Sequence, residues 1–362
     1  MVNKIDFVKE VVYTEGNNKP PSFICYTSDQ MEDMKQFLKT DPDRILGIDR
    51  TFNLGAVFVT NFVYKNIKVI NKETGDHPIF VGPMYLHWEG SFLSYHTFLS
   101  HVKARLSETV QNLDIRIGSD DESGLTKAID DVFPGIKRLL CSKHIKDNVT
   151  DHLKNKIGIN DKERSNLMSE IFGPTGLVNA SDISDYNYLA DNLSSKYSSF
   201  ANYFNSNLRD RLEDYVRQPK VQLKHDRLWT NNNCESMNHV FKKAVEWKPQ
   251  PIPDLATKLM DIVRVQLIDL KRSLYRMGNY ELFGPYRRHV GSYQCWFSKT
   301  QEQRERLFRR LLIDTKSIQT TTKSSCSDFE VPKPQKLARK PNQGKDQGQH
   351  AHSQDIRLIL KL

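Results

Sequence analysis

The order of apolar and polar positions divides the chain into a strand-rich first part and a helical remainder. Ser22–Tyr26 has the run of a short strand, and Met31–Leu38 the spacing of a polar helix. Three strand signals follow closely, Ile45–Phe52, Ala56–Tyr64 and Ile79–Trp88, parted by Asn53-Leu-Gly55 and by the turn-rich stretch Asn71–Pro78. A helix around Ser94–Val110 places Tyr95, Phe98, Leu99, Val102 and Leu106 on one face. A strand at Asp114–Ser119 then leads to a helix striped by Leu125, Ile129, Val132 and Phe133 and stopped by Pro134-Gly135. A last strand, Ile136–Cys141, precedes a helix bearing Ile145, Val149 and Leu153. Short links between the first three strands predict antiparallel neighbours, whereas helical crossovers predict parallel ones. The pattern thus predicts an α/β fold, a mixed five-stranded sheet flanked by helices.

From Asp161 to Val216 the spacing is wholly helical, best in Tyr197, Phe200, Ala201, Phe204, Leu208, Leu212 and Tyr215. Asn232–Trp247 reads as a further helix whose stripe is Met237, Val240, Phe241, Ala244 and Val245, broken by Pro249–Pro253. Asp254 is expected to cap a long amphipathic helix with Leu255, Leu259, Ile262, Val263, Leu270 and Leu274, and a basic helix spans Gln301–Ile313. Lys316–His350 is rich in Ser, Thr, Pro, Gln and Lys and has almost nothing to bury, which predicts a mostly disordered basic tail over 316–362. The expected organisation is a lead at 1–40, a core at 41–247 with a helical insertion at about 158–228, a helical region at 248–315 and the tail at 316–362.

Composition narrows the function classes. A chain of 362 residues that is 38% hydrophobic can bury a sizeable core. It has no apolar run long enough to span a membrane, and Met1–Asp6 lacks an apolar signal core, so residence inside the cell is expected. Five scattered cysteines without a Cys-x-x-Cys pair give neither a disulfide framework nor a zinc ribbon. A formal net charge of +9 favours a polyanionic partner, nucleic acid first.

Three acidic residues stand where chemistry is possible. Asp49 interrupts an apolar strand and shares a face with Thr51, while Leu46 and Ile48 take the other; an acid at a strand end answered by turn hydrogen bonds is the plain alternative. Asp120 closes a strand and opens a helix, where ligands gather in sheet folds, although Asp120, Asp121 and Glu122 would also suit the positive end of a helix dipole. Glu235 lies on a polar flank of its helix with Asn238 and Lys242, and it could instead reach back to Asn232 in a capping box. Phosphodiester cleavage by two metal ions needs shared hard oxygen ligands, and carboxylates supply them.

The blocks around these acids resemble, in order, those of the Mutator-like element transposases over roughly Pro21–Val245. Leu46-Gly-Ile-Asp-Arg-Thr-Phe is similar to the family's first-aspartate strand, and Ser119-Asp-Asp-Glu-Ser-Gly-Leu with Val132-Phe-Pro134 to its second-aspartate block. Cys141-Ser-Lys-His144 followed by Asn148 matches its Cys-x-x-His element, and Thr230-Asn-Asn-Asn-Cys-Glu-Ser-Met-Asn238 its catalytic-glutamate block. The resemblance implies a ribonuclease H-like fold with an all-helical insertion before the glutamate. It implies a metal-dependent transposase that cleaves and joins DNA, with Asp49 bridging two Mg²⁺ or Mn²⁺ ions and Asp120 and Glu235 each binding one. Asp121 is the competing register for Asp120. Cys141 and His144 offer only half of a zinc site, so zinc is not expected; they and Asn238 are assigned structural roles or places behind the metal ligands, with His144 beside the bound phosphate.

The expected partner is DNA, as transposon ends and target, with the nucleus as compartment, no membrane, and self-association of the chain. Arg287, Arg288, Arg304, Arg306, Arg309 and Arg310 are candidates for phosphate contacts, against the alternative of an ordinary solvated surface. Trp88 and Trp229 are expected in packing rather than in base stacking. Family members commonly carry zinc-dependent modules beside the core, and none is readable here. That favours a second reading, a host-retained or degenerate DNA-binding protein without catalysis; a helical scaffold with incidental charge is the third.

Overall fold

The computed structural model describes residues 6–13, 20–110, 115–224 and 226–315; the tail expected over 316–362 lies outside the described residues. The strands are β1 (Val8–Val12), β2 (Ser22–Cys25), β3 (Ile45–Thr51), β4 (Phe58–Lys65), β5 (Val69–Asn71), β6 (Ile79–His87), β7 (Arg116–Ser119), β8 (Lys137–Leu140) and β9 (Tyr280–Leu282). The helices of the first part are α1 (Ser28–Thr40), α2 (Phe92–Val110), α3 (Ser123–Val132) and α4 (Ser142–Asp151), the last continuing in a wider turn through Ile157. After them come α5 (Asp161–Phe172), α6 (Ile183–Lys196), α7 (Ser198–Asn207), α8 (Arg209–Leu212) and α9 (Gln218–Leu223). The remainder is α10 (Asn232–Ala244), α11 (Ile252–Ser273), α12 (Tyr293–Phe297) and α13 (Gln301–Leu312).

The sheet has seven strands in the order β1-β2-β6-β4-β3-β7-β8, not the expected five. The two additional strands come from the segment read as a lead: β1 pairs with β2 and β2 with β6, both antiparallel. Ser22–Cys25 has the apolar run of a strand, but nothing local announces that its partner lies some sixty residues on, which is why the segment looked separate. The central five follow the expected directions, with β3, β4 and β6 antiparallel and β3, β7 and β8 parallel. The β5–β9 ribbon ties the loop after β4 to the chain after α11.

Strand alternation distributes the two faces. Leu46 and Ile48 join Phe62 and Tyr64 under α1, α2 and α3 in one core. Gly47, Asp49 and Thr51 face the other way, opposite Val63, Asn61 and Val59 of β4. That side is covered by α10 and α11 through Cys234, Met237, Phe241, Leu255 and Leu259. The helical insertion has a core of its own, in which Leu167, Ile171, Tyr186, Phe200, Phe204 and Leu212 pack with Leu140 and Ile145.

Two expectations about helices need correction. Val240 is 43% exposed rather than buried. At about 100° per residue, Cys234, Met237, Phe241 and Val245 form the stripe that meets the sheet, and Val240 falls on its flank. The long helix begins at Ile252 with Pro251 at its cap, so Asp254 sits in the first turn, where its charge still suits the dipole.

Candidate active site

Two glycines paired across β3 and β7 decide how the site is assembled. Gly47 and Gly118 are register partners, and both are covered by the segment running from Trp229 into α10. A Cβ on Gly118 would lie 2.1 Å from the Trp229 ring, and one on Gly47 2.8 Å from Cys234 Sγ. Only bare backbone admits the indole and the helix start this close. The packing places Trp229 on the sheet, as expected, and carries Glu235 to the edge where β3 and β7 end.

At that edge, Asp49 accepts the backbone N–H of Arg50 (2.8 Å) and the Asn238 side-chain N–H (2.7 Å). Burial, followed by the charge of Asp120, pushes its carboxyl up to about 7. Asp120 accepts from Asn231 Nδ2 at 3.0 Å, and His144 Nδ1 lies 2.7 Å from its Oδ1, off the line of a good hydrogen bond. His144 Nε2 is 3.6 Å from Glu235 Oε1, so one imidazole lies between the second and third acids. Lys143 Nζ contacts both oxygens of Glu235, at 3.0 and 2.9 Å. Asn238 thus ties Asp49 to the Glu235 helix, and Asn231 and His144 tie Asp120 to the start of that helix and to Glu235, which sets the three acids along one edge of the sheet. Among the described residues, the three potential ligands whose donor atoms all lie within 4.8 Å of one another are Asp120, Cys141 and His144.

The competing readings of these acids resolve geometrically. Asp121 turns away from Asp120 and pairs with Arg211 of α8, so it is the insertion that takes the second acid. Glu122 stands at the cap position of α3 without capping it; its carboxylate meets Arg50 at 3.3 Å and accepts from Tyr95 Oη at 2.7 Å. Glu235 makes no capping box, because Asn231 is the cap residue and no side chain caps the helix. Cys141 is buried, accepts the Asn231 N–H at 3.3 Å, and burial pushes its thiol up, so it packs as a protonated thiol.

Reasoning from sequence missed Asn231 and Lys143. Both lie inside the blocks that carry the acids, one in Asn231-Asn-Asn-Cys and one between Cys141 and His144, so their position was the available signal. It also missed buried polar groups on the Asp49 face: Thr51 Oγ1, both side-chain polar atoms of Asn61, and the Oδ1 atoms of Asn231 and Asn238 have no protein partner.

The basic candidates lie elsewhere. On α13, Phe308 and Leu311 pack into the core on the sheet face opposite α10. Arg304 donates to the carbonyls of Trp296 and Phe297, Arg306 pairs with Glu302, and Arg309 and Arg310 are exposed. Arg288 pairs with Asp314, and Arg287 donates to the Leu282 carbonyl. These arginines are not assembled around the three acids. No helix among the described residues is long and apolar enough to cross a membrane.

A protein-family model described as Transposase, Mutator family matches residues 86–269, about half of the chain. The match includes Asp120, the Cys141–His144 element and Glu235, and begins after Asp49. No curated protein matches the chain.

Proposed function

Because the chain belongs to the Mutator family of transposases, we propose that it is a catalytic core that cleaves DNA at transposon ends and joins the freed ends to a target, in the nucleus. The observation that carries this reading is that Asp49, Asp120 and Glu235 stand along the carboxyl edge of β3 and β7, where ligands of α/β sheets gather, tied to one another through Asn238, Asn231 and His144. The three-antiparallel, two-parallel order of β6-β4-β3-β7-β8 supports a ribonuclease H-like fold beneath it.

The residues present suit divalent cations. Asp49 and Asp120 repel one another, the protein donors on Asp49 are neutral, and Thr51, Asn231 and Asn238 on the same side of the sheet each keep a buried oxygen without a protein partner. Asp49, Asp120 and Glu235 would hold two Mg²⁺ or Mn²⁺ ions, which supply an activated water or 3′-hydroxyl and stabilisation of the leaving oxygen. Asn238 and Asn231 fix the rotamers of Asp49 and Asp120; each Asp49 oxygen already accepts one hydrogen bond and would ligate through its second lone pair, while the contacts of Asn231 and His144 with Asp120 both fall on Oδ1. His144 links Asp120 to Glu235 and, when protonated, offers a proton at Nδ1 or Nε2 to a phosphate oxygen. Lys143 neutralises Glu235 and, on release, has the reach and charge to bind the cut strand's phosphate.

One observation favours the second reading, a DNA-binding protein without catalysis: Lys143 occupies both oxygens of Glu235, as a permanent ion pair would. A cleavage assay with Mg²⁺ or Mn²⁺ and DNA carrying cognate ends separates the two. Nicking by the wild type should fall on the order of 10⁴-fold in Asp49→Asn, the scale on which one acidic member of a catalytic set acts. Salt-sensitive DNA retention should stay, because phosphate contacts do not need the acids. A wild type that retains DNA but never nicks it, even with an end-binding module added, hands the protein to the second reading.

A further inference from the structure

Beside the acids, the loops after β3 and α10 carry an exposed aromatic ledge that the chemistry above does not use. Phe52 directly follows β3 and is 52% exposed, and Trp247 just beyond α10 is 60% exposed. Their loops are clipped together: the Gln250 N–H donates to the Leu54 carbonyl at 2.8 Å, and Gly55 bridges to Gln250 so closely that a Cβ there would lie 2.6 Å from the Gln250 carbonyl oxygen. Three residues in these loops have left-handed backbones, Asn53 (φ 65), Glu246 (φ 54) and Trp247 (φ 60). Asparagine tolerates that region, but glutamate and tryptophan enter it only at a cost, and such strain concentrates where a ligand is held.

The strain has a result. Around α10, Asn238, Lys242 and His239 occupy successive directions moving outward from the sheet, at about 100° per residue. Asn238 holds Asp49, Lys242 Nζ lies 5.2 Å over the Phe52 ring, and the His239 ring meets Trp247 edge-on at 5.5 Å. Aromatic faces and cations therefore alternate in a path that starts at the first acid. Lys243 and Lys248 are exposed beside it. Lysine is depleted at the centres of protein interfaces, whereas aromatic faces interleaved with cations suit stacked bases and their phosphates. Paired DNA keeps its base faces inside the stack, so this ledge has no partner in an intact duplex.

We propose that Phe52 and Trp247 form a binding site for unpaired nucleotides of the DNA strand adjoining the phosphodiester addressed by Asp49, with Lys242, Lys243 and Lys248 on the intervening phosphates. The proposal rests on the DNA reading given above. It makes the protein prefer ends that are frayed or already opened.

The test uses the full chain, a thymidine oligonucleotide of about 16 residues, near the upper site size of single-strand binders, and a blunt duplex of the same length. Wild type should bind both, and the single strand should quench tryptophan emission. Trp247→Ala should lose about tenfold in single-strand affinity and most of the quenching, Trp247→Phe should keep most of the affinity, and duplex affinity should not change. Trp247→Gly should raise the thermal midpoint, because glycine relieves the left-handed strain, while still losing single-strand affinity. Undiminished single-strand binding by Trp247→Ala, or a lowered midpoint for Trp247→Gly, overturns the ledge and leaves the DNA reading standing. Wild type that binds neither oligonucleotide overturns both.

Discussion

Asp33 and Asp49 are both acids sheltered by the central sheet, one on each side of it, and they are treated in opposite ways. Asp33, on α1, accepts from Lys68 Nζ (2.6 Å), Tyr64 Oη (2.8 Å) and Asn66 Nδ2 (2.7 Å), and Lys68 also donates to the Leu312 carbonyl. Every partner is in the protein, one of them a cation, and the cluster ties α1, β4 and the end of α13 together. Asp49 has two neutral donors and an acidic neighbour, and its carboxyl is pushed up to about 7. Burial of an acid is thus no mark of function by itself. The mark is a sheltered acid without a bonded cation, facing a second acid, with only the imidazole of His144 nearby to oppose its charge.

The largest structural effect should come from breaking the complete site. Lys68→Met leaves Asp33 buried without its cation and should cost about 3–5 kcal/mol in denaturant unfolding. Asp49→Asn removes an uncompensated charge, so its stability without metal should match or exceed that of the wild type. Equal losses in the two variants would erase the contrast.

A smaller effect probes the assembly of the edge. Gly118→Ala drives a methyl into the Trp229 ring and should cost about 1–3 kcal/mol, the usual range for overpacking. Because Trp229 leads into α10, the variant should also lose divalent-cation binding, measured by thermal shift. Full retention of both would show that the glycine pair does not set the position of Glu235.

The subtlest prediction is a pH dependence. Asp49 holds its proton more tightly folded (about 7) than its ordinary carboxyl value of 3.8. The folded state therefore binds the extra proton within that window, and the contribution of Asp49 to stability falls as pH rises from about 4 to about 7. Without metal, the gap in melting temperature between Asp49→Asn and wild type should widen over that window and close at lower pH. A constant gap would remove the charge argument.

Much of the central fold was legible because alternation in Ile45–Thr51 and the helical stripe of α2 are local properties. The edge strands β1 and β2 were not, since register with β6 is a long-range choice. The acids were legible from their places at strand and helix ends. Their surroundings were only half so: Lys143 on Glu235, Arg211 on Asp121 and Trp229 on Gly118 join residues about ninety to more than a hundred positions apart that happen to meet in space. The arginines of α13 show the converse limit, because a basic run visible in sequence does not say which face of the sheet it decorates.

The claim on which the rest depends is that Asp49, Asp120 and Glu235 bind divalent cations as a set. A Mn²⁺ titration followed by electron paramagnetic resonance, without DNA, measures it directly. Wild type should take up Mn²⁺ saturably, Asp49→Asn and Glu235→Gln should lose most of that uptake, and Asp121→Asn, whose acid is committed to Arg211, should not. Lys143→Met should bind more tightly than wild type, because the ammonium competes for Glu235. Uptake that is the same in wild type, Asp49→Asn and Glu235→Gln would contradict the account.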